Sequence, residues 1–389
     1  MKYIKNNYDF IIIFLILFFH FLYLLNFYQL PIYLFYDYYL QIPSLFQDFF
    51  WYPSNALINN INVYDLYFEK NSIREYQPGY PPPNYSILHT IIFLPFGFFS
   101  FETSKKIYLI INMLLLLGIY KILKNYYKNN KIFFLYIFFL FSPLLVHLLK
   151  VGQYSIFCLW GFTVYFYKNN NHFLKFIGLL ISTLKYSFAP IIGLYLLLER
   201  KFKILFYLIL TNIAATIFYS TYFNISFAKA LLNPILMGWK TQAIGAGDLL
   251  SFLGNHPQFP FNIVIVALIF FFLKYFIYFN TKRIRVFDLI LICILSLMSF
   301  KHLNYDYILV FPAILLIFEK ISNKSKIILS CIIFYFLFIL PFFLIDAIRY
   351  TKYFIFFNLS LNLILLSITL KLILKKNFLN YLFKRSNKK

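Results

Sequence analysis

A chain of 389 residues that is 62% hydrophobic, with a mean hydropathy of +0.74, has too little polar surface for a soluble fold of its size. Its formal charge of +23 would suggest a nucleic-acid partner in a soluble protein, but the basic residues punctuate apolar runs and form no stripe. Composition therefore argues against nucleic acid and predicts an all-α, polytopic integral membrane protein.

Taken from the N-terminus, apolar runs of membrane length or near it fall at roughly 10–30, 106–123, 132–149, 154–167, 202–222, 260–280, 286–300, 307–319, 326–345 and 353–374. The first follows Lys2 and Lys5 but has no small-residue cleavage site after it, so it reads as a retained span. Two shorter runs, about 173–184 and 187–198, cover only some 17 Å each against a hydrocarbon layer of roughly 30 Å. They read as a hairpin meeting near Lys185, for a total of about twelve membrane segments in a single membrane-embedded domain, 1–389. With the N-terminus inside, about 25 of the 36 Lys and Arg fall on the cytoplasmic side, and both termini are cytoplasmic. One continuous span over 173–198 would instead place the basic clusters at 281–285, 319–326 and the C-terminus outside.

This topology leaves a large first extracytoplasmic loop at about 31–105 and a second at about 223–259. The run Ser86 to Phe99 is apolar, but it is short and holds Pro95 and Gly97, so it is placed flat in the outer interface. The first loop carries Asp37, Asp48, Asp65, Glu69 and Glu75 among Asn, Pro and Tyr, the composition of an ordered polar loop. Shorter outer turns hold Lys150 to Gln153, Lys301 to Asp306 and Asp346 to Lys352. The functional face is thus the outer one, in the cytoplasmic membrane.

Several chemistries are disfavoured. There is no P-loop, no HExxH helix and no Asp-x-Asp pair, and Gly245-Ala246-Gly247 lacks the rest of a dinucleotide fingerprint. Cys158, Cys293 and Cys331 lie inside apolar runs, where a thiol is a small core residue, so neither a disulfide nor a metal site is expected. No cofactor is expected. What remains is chemistry on a lipid-borne substrate beside the membrane.

Five features in order carry a family resemblance. They are Asp48-Phe49-Phe50-Trp51-Tyr52 with Ala56 and Val63-Tyr64 after it; Tyr80-Pro81-Pro82-Pro83 followed by Pro95; Gly152-Gln153 leading a span; Lys185 in the hairpin; and Gly254-Asn255 in the second outer loop. In these the chain resembles glycosyltransferase family 87, polyprenyl-phosphate-mannose-dependent mannosyltransferases of the C-type membrane superfamily. His256-Pro257 stands where Gln-Ser would be expected after Gly-Asn. The resemblance implies transfer of a hexosyl unit, mannosyl above all, from a polyprenyl monophosphate to a glycan or glycolipid acceptor. It also implies that Asp48 is the general base.

A phosphate-linked sugar already has a good leaving group. The enzyme must deprotonate the acceptor hydroxyl and stabilise the phosphate charge that develops. One carboxylate suits inversion, since double displacement asks for a second as nucleophile. The alternative for Asp48 is a helix cap near Tyr52. Lys185 either meets the donor phosphate or snorkels to the headgroups. Gln153 either bonds a sugar hydroxyl, as the resemblance implies, or caps a helix end. Lys301, His302 and Asp306 form either a phosphate-binding turn, with Asp306 orienting a basic partner, or a solvated one. Asn255 is a further candidate substrate ligand, and Asp65, Glu69 and Glu75 read as a solvated loop face. Competing functions are a secondary transporter or flippase of lipid-linked sugars, and a lipid-carrier-dependent polysaccharide polymerase or ligase. The first expects mid-membrane ionisable residues and repeats, and the second a late outer loop.

Overall fold

The computed structural model describes residues 2–25, 50–65, 85–127, 131–167, 171–241, 285–299, 304–312, 314–315, 335 and 356–368. Among these residues there are helices and connecting turns and no strand. Helix α1 spans Lys2–Leu24. The first-loop region contributes α2 (Trp51–Ile58), α3 (Ile87–Ile92) and α4 (Leu94–Gly97). Then come α5 (Phe101–Tyr127), α6 (Lys131–Leu140), α7 (Pro143–Val151), α8 (Ser155–Tyr167), α9 (His172–Thr183) and α10 (Ala189–Leu198). Farther along are α11 (Phe202–Tyr222), α12 (Phe227–Thr241), α13 (Arg285–Ser299), a 3-10 turn at Asn304–Val310, and α14 (Phe356–Ile368).

Among the described residues, two helices, α5 and α11, are long and apolar enough to cross a membrane. α5 has 27 residues, about 40 Å at 1.5 Å per residue. α11 leaves Phe206, Ile209, Leu210, Ile213, Ile217 and Phe218 exposed, a surface that suits lipid and not water. The predicted run 132–149 is a bent pair instead: α6 and α7 meet at 50°. The cause is local, because Pro143 cannot continue α6 and Ser142 starts a new helix, its Oγ accepting from Leu145 N at 3.3 Å. The break frees carbonyls at the end of α6, and His20 of α1 sets Nε2 2.9 Å from Leu140 O and Nδ1 2.9 Å from Ile16 O.

α8 is buried nearly all round and is the helix against which α5, α9, α13 and the 3-10 turn pack. The α8–α9 crossing is close because both helices present glycine there. A Cβ on Gly161 would stand 2.2 Å from Gly178 O, and one on Gly178 would stand 2.6 Å from Gly161 O. Ser182 Oγ seals the crossing by donating to Gly178 O (2.8 Å) or Cys158 O (3.3 Å). The two short predicted runs correspond to α9 and α10, separated by the turn 184–188 that carries Lys185. They pack mainly on other partners, α9 along α8 and α10 against α11 and α13.

The apolar segment after Ser86 forms two short helices docked on the first loop. Gly97 permits this approach, since a Cβ there would lie 2.6 Å from the Ser54 carbonyl carbon. Asn55 Nδ2 donates to Gly97 O (3.1 Å) and Trp51 Nε1 to Phe99 O (2.8 Å), which fastens α2 to the segment leading into α5.

Candidate active site

The site begins where α7 ends. Gly152 takes φ 75°, and the amides of Gly152 and Gln153 close back on Leu149 O (3.3 Å) and Leu148 O (3.1 Å). This is a left-handed helix stop that a side chain would strain. It turns the chain so that Gln153, Tyr154 and Ser155 present side chains at the head of α8. Gln153 is buried and held at both ends: Tyr85 OH donates to its Oε1 at 3.0 Å and Tyr108 OH to its backbone carbonyl at 2.9 Å. Tyr154 OH donates to Ile181 O at 2.8 Å, one turn before the Lys185 turn.

Ser155 and Lys185 converge on Asp306. Both the Ser155 hydroxyl and the Lys185 ammonium donate to Asp306 Oδ1, and the ammonium lies 3.4 Å from Ser155 Oγ. The carboxylate side chain is 2% exposed and the lysine side chain 12%. Lys185 therefore reaches an internal carboxylate and does not extend to the surface. Taking both charges out of water is costly, and the shared oxygen, the added hydroxyl and short range offset that cost. Asp306 spans to α8 and to the α9–α10 turn, while the neighbours it is expected to orient, Lys301 and His302, lie outside the described residues.

An aromatic nest packs around Tyr154, the residue before Ser155. Phe50, two residues beyond Asp48, packs on His89 and Phe93 with ring centroids 4.3 Å away in each case, and on Tyr108 at 5.1 Å. Tyr85 stacks on His89 at 4.5 Å. Burial holds the His89 imidazole well below the usual histidine range, so it is neutral. The segment that follows Asp48 is thereby tied, through Phe50 and Tyr85, to Gln153.

Of the sequence-predicted residues, Gln153, Lys185 and Asp306 are brought into one region, while Asp48, Asn255, Lys301 and His302 lie outside the described residues. Asp65, expected on a solvated face, pairs with Lys229 of α12 at 2.8 Å and accepts from Asn62 Nδ2 at 2.8 Å; Glu69 and Glu75 lie outside the described residues. Sequence reasoning missed Ser155, Tyr85 and His89. A polar residue two positions after Gln153 and a lone histidine in an apolar run were the available signals. Among the described residues, no group of three or more His, Cys, Asp or Glu side chains is placed to hold a metal ion.

No curated protein and no solved structure matches the chain. A family model described as glycosyltransferase family 87 matches residues 84–300, a stretch that holds Tyr85, His89, Gln153, Ser155 and Lys185. That is more than half of the 389 residues, on a helical scaffold with membrane-length apolar helices, and the chain belongs to glycosyltransferase family 87.

Proposed function

We propose that this membrane glycosyltransferase moves a hexosyl unit, mannosyl by resemblance, from a polyprenyl monophosphate to a glycan or glycolipid acceptor. The reaction takes place on the outer face of the cytoplasmic membrane, with both termini inside. The observation that carries the reading is the Lys185–Asp306–Ser155 group beside Gln153. A cation built into apolar helices suits an anionic substrate group at the membrane, and the carboxylate makes that cation tolerable before substrate arrives.

In the proposed step, the acceptor oxygen attacks the anomeric carbon from the face opposite the phosphate. The carbon–oxygen bond to phosphate breaks and its electron pair leaves with the polyprenyl phosphate, so the product has inverted configuration. Asp48 takes the hydroxyl proton as general base, and Lys185 meets the charge that grows on the leaving phosphate. Gln153, fixed by Tyr85 and Tyr108, offers its amide to a sugar hydroxyl. Lys301, His302 and Asn255 are assigned to the substrate's polar groups on the same face. Support for Asp48 comes from Phe50, whose packing on His89 and Tyr85 anchors the adjoining segment to the Gln153 region.

The test is sugar transfer in membranes containing the wild type, Asp48→Asn or Lys185→Met at matched expression, with labelled polyprenyl-phosphate-mannose and cell-envelope acceptors. Transfer by the wild type and its loss in both variants is expected. Equal transfer by Asp48→Asn would remove that residue from the chemistry. Lipid-linked sugar crossing the membrane without glycosidic product would favour a flippase.

A further inference from the structure

Four buried polar atoms with no hydrogen-bond partner stand around the turn that carries Lys185: Tyr64 OH, Ser86 Oγ, His89 Nε2 and Ser187 Oγ. Their placement follows from the backbone. Ser86 N donates to Leu184 O at 3.2 Å, which seats Ser86 against the residue before Lys185. His89 is three positions on, on the same face of α3. Ser187 belongs to the turn itself, and Tyr64 is near enough to Tyr186 for their phenols to interact electrostatically.

Ser86 is the most informative of the four. It occupies the N-cap of α3 with extended backbone, yet its side chain makes no cap bond. Ser142 and Asn171 at the corresponding positions of α7 and α9 do accept from the third helical amide. A serine N-cap ordinarily uses its hydroxyl in this way. The Ser86 hydroxyl is buried, at 3% residue exposure, and left for something else. Two of the unpartnered amide atoms elsewhere are of a different kind. Asn112 and Asn362 each leave one atom open but bond through the other, to Tyr108 O and Tyr307 OH.

We propose that Ser86, His89, Ser187 and Tyr64 form the subsite that reads the hydroxyls of the donor's hexose ring. This rests on Lys185 as the ligand of the donor phosphate. A sugar joined to that phosphate through one oxygen must lie within a few bonds of the ammonium, beside the turn that Ser187 belongs to and that Ser86 is bonded to through Leu184 O. Hydroxyls and a neutral imidazole both donate and accept, as ring hydroxyls do, and carry no charge that would compete for the phosphate. A site built to bond a hydroxyl rejects an analogue lacking it, because its own buried groups then stay unpaired. The four are specificity-determining residues and take no part in bond breaking.

The experiment uses the full chain in lipid nanodiscs. It compares binding of a short-chain polyprenyl monophosphate, bare or carrying mannose, glucose or a mono-deoxy hexose, to the wild type, Ser86→Ala, Tyr64→Phe and Lys185→Met. Each subsite variant removes one or a few atoms, and its melting temperature is recorded alongside. The wild type is expected to prefer a hexose-bearing lipid over the bare one by roughly tenfold per hydroxyl read. Ser86→Ala and Tyr64→Phe lose about that factor for one hydroxyl and keep the affinity for bare lipid, and for the matching deoxy sugar wild type and variant bind alike. If the preference survives intact in both folded variants, or the wild type binds both lipids equally, the subsite is overturned. The phosphate reading then still stands, provided that Lys185→Met weakens binding of bare lipid. If the wild type binds neither lipid, both are overturned.

Discussion

Lys185 and Asp306, 121 residues apart in the chain, share a buried ion pair that Ser155 completes. The pair joins the α9–α10 turn to the 3-10 turn and places both against the head of α8, so one contact locks three elements together at Ser155. It also explains how a lysine can sit between Leu184 and Tyr186 in an apolar hairpin.

Breaking the pair from either side strands a charge. Lys185→Met or Asp306→Leu is expected to cost about 3–5 kcal/mol, whereas the double variant should cost less than the sum of the two and can approach neutrality. Thermal unfolding in detergent of all four proteins measures the coupling. Strictly additive losses would mean that the two side chains do not pair. Activity should be absent in every variant lacking Lys185.

The α8–α9 crossing offers a second prediction, with Gly118 of α5 as the comparison for Gly161. Gly161→Ala puts a methyl group 2.2 Å from Gly178 O, so α9 must shift, at a cost of about 1–3 kcal/mol, and must carry the Lys185 turn with it. Gly118→Ala meets only the Trp160 ring at 3.5 Å, an ordinary contact, and should be neutral or stabilising by up to about 1 kcal/mol. Melting temperatures and transfer rates of the two variants should therefore diverge; similar behaviour would contradict the close crossing.

His89 makes stability depend on pH with a definite sign. Its folded value lies well below the ordinary histidine value of about 6.5, so as pH falls below that value the unfolded chain takes up a proton that the folded chain refuses. The contribution is constant above that range and is lost on acidification, by up to about 1.4 kcal/mol per pH unit. His89→Phe should flatten the unfolding midpoint between about pH 5 and 6.5 relative to wild type. Parallel curves for the two proteins would show that His89 titrates freely.

The exposed ion pair between Asp65 and Lys229 should behave unlike the buried one. Its side chains are 29% and 43% exposed, so Lys229→Met is expected to cost only about 0.2–1 kcal/mol, and less at high salt. Unfolding at low and high ionic strength measures it. A loss as large as that at Lys185 would mean that this pair, too, is sealed from solvent.

The membrane class and the helical content were legible in composition, because lipid permits few alternatives to helices for an apolar chain. The bend at Ser142-Pro143 and the helix stop at Gly152 also follow from local residue chemistry, since proline lacks a donor and glycine alone takes φ 75° cheaply. Lys185, Gln153 and Asp306 could be picked out one by one, as polar residues at the ends of apolar runs, with the family resemblance favouring Gln153 and Lys185 as site residues. Their convergence could not, because which turn meets which depends on helix packing between residues far apart in sequence. The same holds for Ser155 and His89, whose residue types are ordinary in a helix. Only the crossing at Gly161 and Gly178, the docking at Gly97 and the seating of Ser86 on Leu184 give those side chains their neighbours, and these are contacts of the folded chain.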